Sequence, residues 1–118
     1  MSGFDTVELT LGDKTYVLTP TFKVAERISQ RFGGYLKAME SVTALDINAM
    51  VQIIQAGTPK ITDAEVKELP RRLYEAKLPT AMAPIIDFLA IVANNGKRPP
   101  APADDPSGNG ETGETGEG

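Results

Sequence analysis

The sequence contains no cysteine, no histidine and no tryptophan. Without cysteine there is no disulfide framework, no thiolate nucleophile and no Cys/His zinc site. Without histidine the Ser-His-Asp triad, the Cys-His pair and the imidazole metal ligand are all excluded. Any catalysis would have to rest on carboxylates, lysine, tyrosine or hydroxyl groups. Long apolar runs are missing too. The nearest approach to the ~18 residues needed to cross a bilayer is Ala81 to Ala93, which is interrupted by Pro84 and Asp87. The opening Met1-Ser2-Gly3-Phe4-Asp5 has no basic stretch and no apolar segment behind it, so no targeting signal is expected. A net charge of −4 gives no basic footprint for nucleic acid. The expectation is a soluble cytoplasmic protein with no membrane and no nucleic-acid partner.

What is present suffices for one domain. The chain has 118 residues, 41% of them hydrophobic, within the usual size of a single core. The composition changes at Lys97. Residues 97–118 hold Pro99, Pro100, Pro102 and Pro106, five glycines, and no Val, Ile, Leu, Phe, Met or Tyr. Such a segment cannot bury enough surface to offset its chain entropy. The reading is a folded domain over residues 1–96 and a disordered, acidic, Pro/Gly-rich tail over 97–118. Asp104, Asp105, Glu111, Glu114 and Glu117 make that tail acidic, while the body is nearly neutral.

The body opens with a β-hairpin pattern. Val7, Leu9 and Leu11 alternate with Thr6, Glu8 and Thr10, and Tyr16 to Leu18 continue on a second strand. Gly12-Asp13 suits a two-residue loop. Pairing Leu11 with Lys14, Leu9 with Tyr16 and Val7 with Leu18 puts the apolar residues on one face and sets Thr10 against Thr15 on the other. A lone hairpin is marginal in water and must pack on something, and everything after Pro20 reads as helix or tail. Thr19-Pro20-Thr21 starts a helix whose stripe is Phe22, Ala25, Ile28, Ser29 and Phe32, with Lys23, Glu26, Arg27, Gln30 and Arg31 between, and Gly33-Gly34 stops it. A short helix follows over Tyr35–Val42 with Tyr35, Leu36 and Met39 inward. Asp46 caps the next, whose stripe is Ile47, Met50, Val51 and Ile54. Thr62-Asp63-Ala64-Glu65 forms a capping box for a helix carrying Val66, Leu69 and Leu73, in which Pro70 should produce a kink or a split. A last helix runs from Pro79-Thr80 to about Asn94, ended by Asn95-Gly96. The fold class is therefore α+β, mostly α: an N-terminal hairpin packed on about four to six short helices. Val7, Leu9, Tyr16, Leu18, Phe22, Ile28, Phe32, Met50, Ile54, Leu73, Ile85 and Leu89 are expected to be buried.

The chemical candidates are few. Asp105, Ser107, Asn109, Gly110 and Glu111 match the first positions of an EF-hand loop, but Gly116 stands where the closing Glu belongs and Thr112 where an apolar residue belongs. A solvated acidic segment is the better reading. Asp87 lies among Ile85, Ile86, Phe88 and Leu89 and, if buried, would have the raised pKa of a general base. No second acid, base or nucleophile accompanies it, and pairing with a basic residue is the plainer alternative. Lys67, Arg71, Arg72 and Lys77 are interleaved with Glu65, Glu68 and Glu75 and read as a solvated mixed-charge face. The expectation is a non-enzymatic protein with no cofactor and no metal.

The most informative element is the last helix, in which only Asp87 is charged between Ala81 and Ala93. A helix apolar nearly all round is either central in a core or meets a partner. Met82, Ile85, Phe88, Ile91 and Val92 are the candidate partner-binding residues, for a client or for a second copy of the chain.

The segment Val7-Glu8-Leu9-Thr10-Leu11-Gly12-Asp13-Lys14-Thr15-Tyr16-Val17-Leu18-Thr19-Pro20-Thr21-Phe22 resembles the opening of the small tail assembly chaperones of long-tailed phages and of phage-derived gene transfer agents. In that group a hairpin with a Gly-x-Lys-x-Tyr-x-Leu core leads through Pro-Thr-Phe into a helix. Short helices, an apolar helix and a variable tail follow. The resemblance covers about residues 6–95, with the later part alike only in layout. It implies a protein that binds the long helical tape measure protein in the bacterial host cytoplasm. It also implies that the protein promotes assembly of tail tube protein around that client, carries no catalytic residues and is absent from the finished particle. A structural component of the virion, or a small regulatory adaptor, remains the alternative.

Overall fold

A computed structural model describes residues 4–99. The hairpin is β1 (Val7–Leu11) and β2 (Lys14–Leu18), antiparallel, in the register expected: Val7 opposite Leu18, Leu9 opposite Tyr16, Leu11 opposite Lys14. Gly12 has φ +67, which a two-residue hairpin loop requires at its first position. Val7, Leu9, Leu11, Tyr16 and Leu18 share the buried face. On the solvent face the hydroxyls of Thr10 and Thr15 meet at 3.0 Å.

Five helices follow: α1 (Phe22–Phe32), α2 (Tyr35–Thr43), α3 (Ile47–Gly57), α4 (Asp63–Glu75) and α5 (Leu78–Ala93). Their starts are capped as the sequence requires. Thr21 Oγ1 accepts from Val24 N–H, Asp46 Oδ1 from Ala49 N–H and Thr62 Oγ1 from Glu65 N–H. Each satisfies a donor that has no partner within its helix. Pro70 does not split α4, which runs unbroken from Asp63 to Glu75. Lys77, at φ +76, turns the chain sharply from α4 into α5.

Helix α5 is the centre of the fold. It packs against β1, α1, α2, α3 and α4. Ile85, Phe88, Leu89 and Ile91 are fully buried along it. Short helices laid around it, with the hairpin as a lid, cover one 16-residue helix that a layered arrangement of this size would leave half open. The large side chains take the covered sides. Pro79, Thr80 and Ala83 lie on the solvent strip, with Asp87 half-buried beside them.

Three expectations of burial need correction. Phe22 is 75% exposed and Phe32 only half-buried, because the inward face of α1 is set by Val24 and Ile28, one helical turn apart. Leu36 faces solvent at 71% exposure, because α2 turns Ala38 and Val42 inward.

The folded body also reaches beyond residue 96. Asp5 N–H donates to the Gly96 carbonyl at 2.9 Å, and Arg98 N–H donates to Asp5 Oδ2 at 2.7 Å. Lys97 and Arg98, assigned to the tail from composition, thus join the domain. The expected disorder of the remaining tail falls on residues 100–118, outside the described residues.

Candidate functional site

The candidate residues on α5 do not form one surface. Ile85, Phe88 and Ile91 are each 0% exposed, so no partner reaches them while the domain is folded. Met82 and Val92 are half-buried and packed against the core. Of the five, Val92 opens onto a cavity that a partner can enter. Asp87 is explained by pairing: the Arg98 guanidinium Nη1 donates to both its carboxylate oxygens, at 2.8 and 2.6 Å. That hydrogen bond, with the attraction between the charges, holds the Arg98 guanidinium above its ordinary pKa. Asp87 fastens the segment around Arg98 to α5.

The large apolar side chains left in water are elsewhere. Phe22 is 75% exposed, and Leu36 and Tyr74 are each 71% exposed. Leu36 borders a shallow groove with Met39, Glu40, Thr43 and Ala44. Tyr74 borders a second with Leu45, Glu75, Lys77, Leu78 and Pro79. Phe22 belongs to a deeper feature. Its ring, with Phe4, Pro20, Thr21, Ala25, Val92, Asn95 and Gly96, lines a cleft of about 190 Å³ where the hairpin enters α1 and α5 ends. This is smaller than the ~300–1,000 Å³ of small-molecule sites and has the scale of one or two apolar side chains. Pro20 fixes the exit from the hairpin, Thr21 caps α1, and the next residue, Phe22, is therefore held at the rim.

Sequence periodicity missed Phe22 as a surface group because it falls at the start of α1, beside the inward stripe rather than in it. The signal was the pair Val24 and Ile28. A stripe drawn through them leaves Phe22 to one side.

Among the described residues, no group of three or more Asp or Glu side chains is gathered to hold an ion. The EF-hand-like run from Asp105 lies outside them. The mixed-charge reading of α4 is met by three ion pairs, Arg71 with Glu68 at 3.1 Å, Arg72 with Asp13 at 3.8 Å and Glu65 with Lys14 at 2.9 Å. No single helix among the described residues is long and apolar enough to cross a membrane.

Besides Arg72 with Asp13, a shorter ion pair ties the hairpin to α4: Lys14 Nζ donates to Glu65 Oε2 at 2.9 Å. This hydrogen bond, and then the Lys14 charge, lowers the Glu65 pKa from its ordinary 4.5, while Lys14 is raised from 10.5. A carboxylate lowered on folding stabilises the fold above its unfolded pKa, and that contribution is lost as pH falls through the folded value. The Lys14 contribution is present below 10.5 and is lost as pH rises through its folded value. Both groups are exposed, so the effect is small and screened by salt. Urea titrations from pH 6 down to 3 should give a shallower loss of stability for Glu65→Gln than for wild type at low salt. The two curves should converge at high salt.

Compared with known protein families, curated proteins and solved structures, the chain matches none.

Proposed function

We propose that the protein is a tail assembly chaperone: it binds the tape measure protein in the bacterial host cytoplasm, promotes assembly of the tail tube around it and is left out of the finished particle. The reading rests on the resemblance of residues 7–22. The single observation that supports it beyond sequence is the placement of Phe22. The Pro-Thr-Phe end of that segment puts a phenylalanine in solvent, at 75% exposure, on the rim of an apolar cleft. A large ring kept in water forgoes roughly 1.5–3 kcal/mol of burial, and a partner's apolar helix face recovers it. The cleft also contains Val92, a member of the sequence-based set.

The test is co-expression with a tape measure protein taken from the same genome. Wild type is expected to keep the client soluble and to co-purify with it, while purified particles lack the chaperone. Phe22→Asp should leave stability within about 0.5 kcal/mol of wild type, since the side chain is exposed and a carboxylate suits the first turn of a helix. It should nevertheless leave the client in the pellet. A folded Phe22→Asp protein, checked by circular dichroism, that protects the client as well as wild type would remove the cleft from the mechanism. Recovery of the protein as a stoichiometric part of the particle would favour a structural role.

A further inference from the structure

A second surface lies on the opposite flank of α1. Lys23, Arg27 and Arg31 follow one another at intervals of four residues and are all exposed. Such spacing aligns side chains along one side of a helix, about 6 Å apart. Lys37 stands near the end of α1, its Cδ beside Gly33. None of these four cations makes an ion pair with another described residue, whereas Lys14, Arg71, Arg72 and Arg98 all do. Glu26 is the only carboxylate on α1. Lys23 and Arg27 also rim a groove of about 320 Å³ between α1 and the end of α3, lined otherwise by Thr21, Val24, Ala56 and Pro59. No carboxylate lines that groove, in contrast to the two grooves bordered by Glu40 and by Glu75.

We infer that this groove docks an acidic amphipathic helix, with carboxylates at i, i+4 and i+8 facing Lys23, Arg27 and Arg31 and an apolar side chain seated against Val24, Ala56 and Pro59. The match is one of charge and of repeat. A partner helix laid along α1 has the same rise per residue, so acidic groups four apart stay in step with the cations. The inference rests on the chaperone reading and adds to it the charge and location of the client segment. Charge selects the segment and speeds its encounter, and the apolar floor retains it.

The experiment measures fluorescence anisotropy of two labelled synthetic helices with the full-length protein. One carries leucines on one face and Glu at i, i+4 and i+8; the other has Lys in place of Glu. The acidic helix is expected to bind and the basic one not to, and binding should weaken steeply with salt. The double variant Lys23→Glu/Arg27→Glu should lose affinity for the acidic helix by about tenfold or more. Both positions are exposed, so the fold should persist; Lys23→Gln/Arg27→Gln, without charge reversal, should give an intermediate loss.

Equal binding of the two helices, or an unaffected double variant, would overturn the inference. So would tighter binding of duplex DNA. A free peptide of residues 100–118 that competes as strongly as the acidic helix would hand the groove to the chain's own C-terminal sequence. A dimer abolished by the double variant would hand it to a second copy. Co-expression separates this from the chaperone reading. If the double variant protects the client as wild type does while Phe22→Asp fails, the groove inference falls and the chaperone stands. If wild type itself does not protect the client, the chaperone reading falls.

Discussion

Replacing Phe88 with alanine is expected to destabilise the domain by about 3–5 kcal/mol, the range for removing a fully buried aromatic ring. Phe88 is 0% exposed and sits where three parts of the fold converge. Its ring packs so closely on α3 that a Cβ placed on Gly57 would lie 3.0 Å from Phe88 Cζ and 3.3 Å from Leu18 Cβ. The Gly57 carbonyl also receives the Thr19 N–H at 3.0 Å, as the chain leaves β2. Hairpin, α3 and α5 are thus joined at one point, and a cavity there is lined by elements that cannot collapse independently. Single domains are stable by about 5–15 kcal/mol, so the variant should unfold at a far lower urea concentration, or fail to fold at all. Phe88→Leu keeps most of the volume and should lose much less. A loss under about 1 kcal/mol for alanine would mean that the ring is not packed as described. The contrast with Phe22→Asp is the useful part: one phenylalanine holds the fold and the other serves its surface.

The hairpin was legible down to its register because a period of two leaves only one pairing that gathers Val7, Leu9, Tyr16 and Leu18. Helix starts were legible because Thr21, Asp46 and Thr62 have short polar side chains directly before apolar periodicity. Surface and core were harder to tell apart on the helices. On α5 the periodicity is written in side-chain size rather than polarity. Ala83 is as apolar as its neighbours, and counting it so makes the helix look unpartnered on all sides. Reading Pro79, Thr80, Ala83 and Asp87 as one small or polar strip would have placed Phe88 and Ile91 in the core beside Ile85. On α2 the small Ala38 was the inward residue, close against its neighbours, while the larger Leu36 pointed out. Hydrophobicity alone favours the opposite choice. The clasp between Asp5 and Arg98 was not legible at all. Asp5 and Arg98 are far apart in sequence, and no local pattern signals that they meet.

That clasp gives the second large effect, Gly96→Val. Asn95 and Gly96 both have positive φ, +62 and +90, and the Gly96 N–H donates to the Ile91 carbonyl at 2.9 Å as α5 ends. A side chain at Gly96 meets two obstacles. Left-handed backbone costs an L-residue roughly 1–2 kcal/mol, and more for a β-branched one. A Cβ there would also lie 2.5 Å from Phe4 Cδ1 and 3.1 Å from the Pro20 carbonyl oxygen, an overlap of the kind that costs about 1–3 kcal/mol. The sum is about 2–5 kcal/mol for valine, with less for alanine. The two causes separate in a double-mutant cycle. Phe4→Ala in the Gly96→Ala background removes the nearest obstacle and should recover the steric part, leaving the conformational part. Full additivity would mean that the ring and the glycine do not touch. Because Phe4 and Gly96 line the same cleft as Phe22 and Val92, Gly96→Ala should also narrow it. In the proposed chaperone role, client retention should therefore fall further than the loss of stability alone predicts, and Phe4→Ala should restore it in step with the cleft.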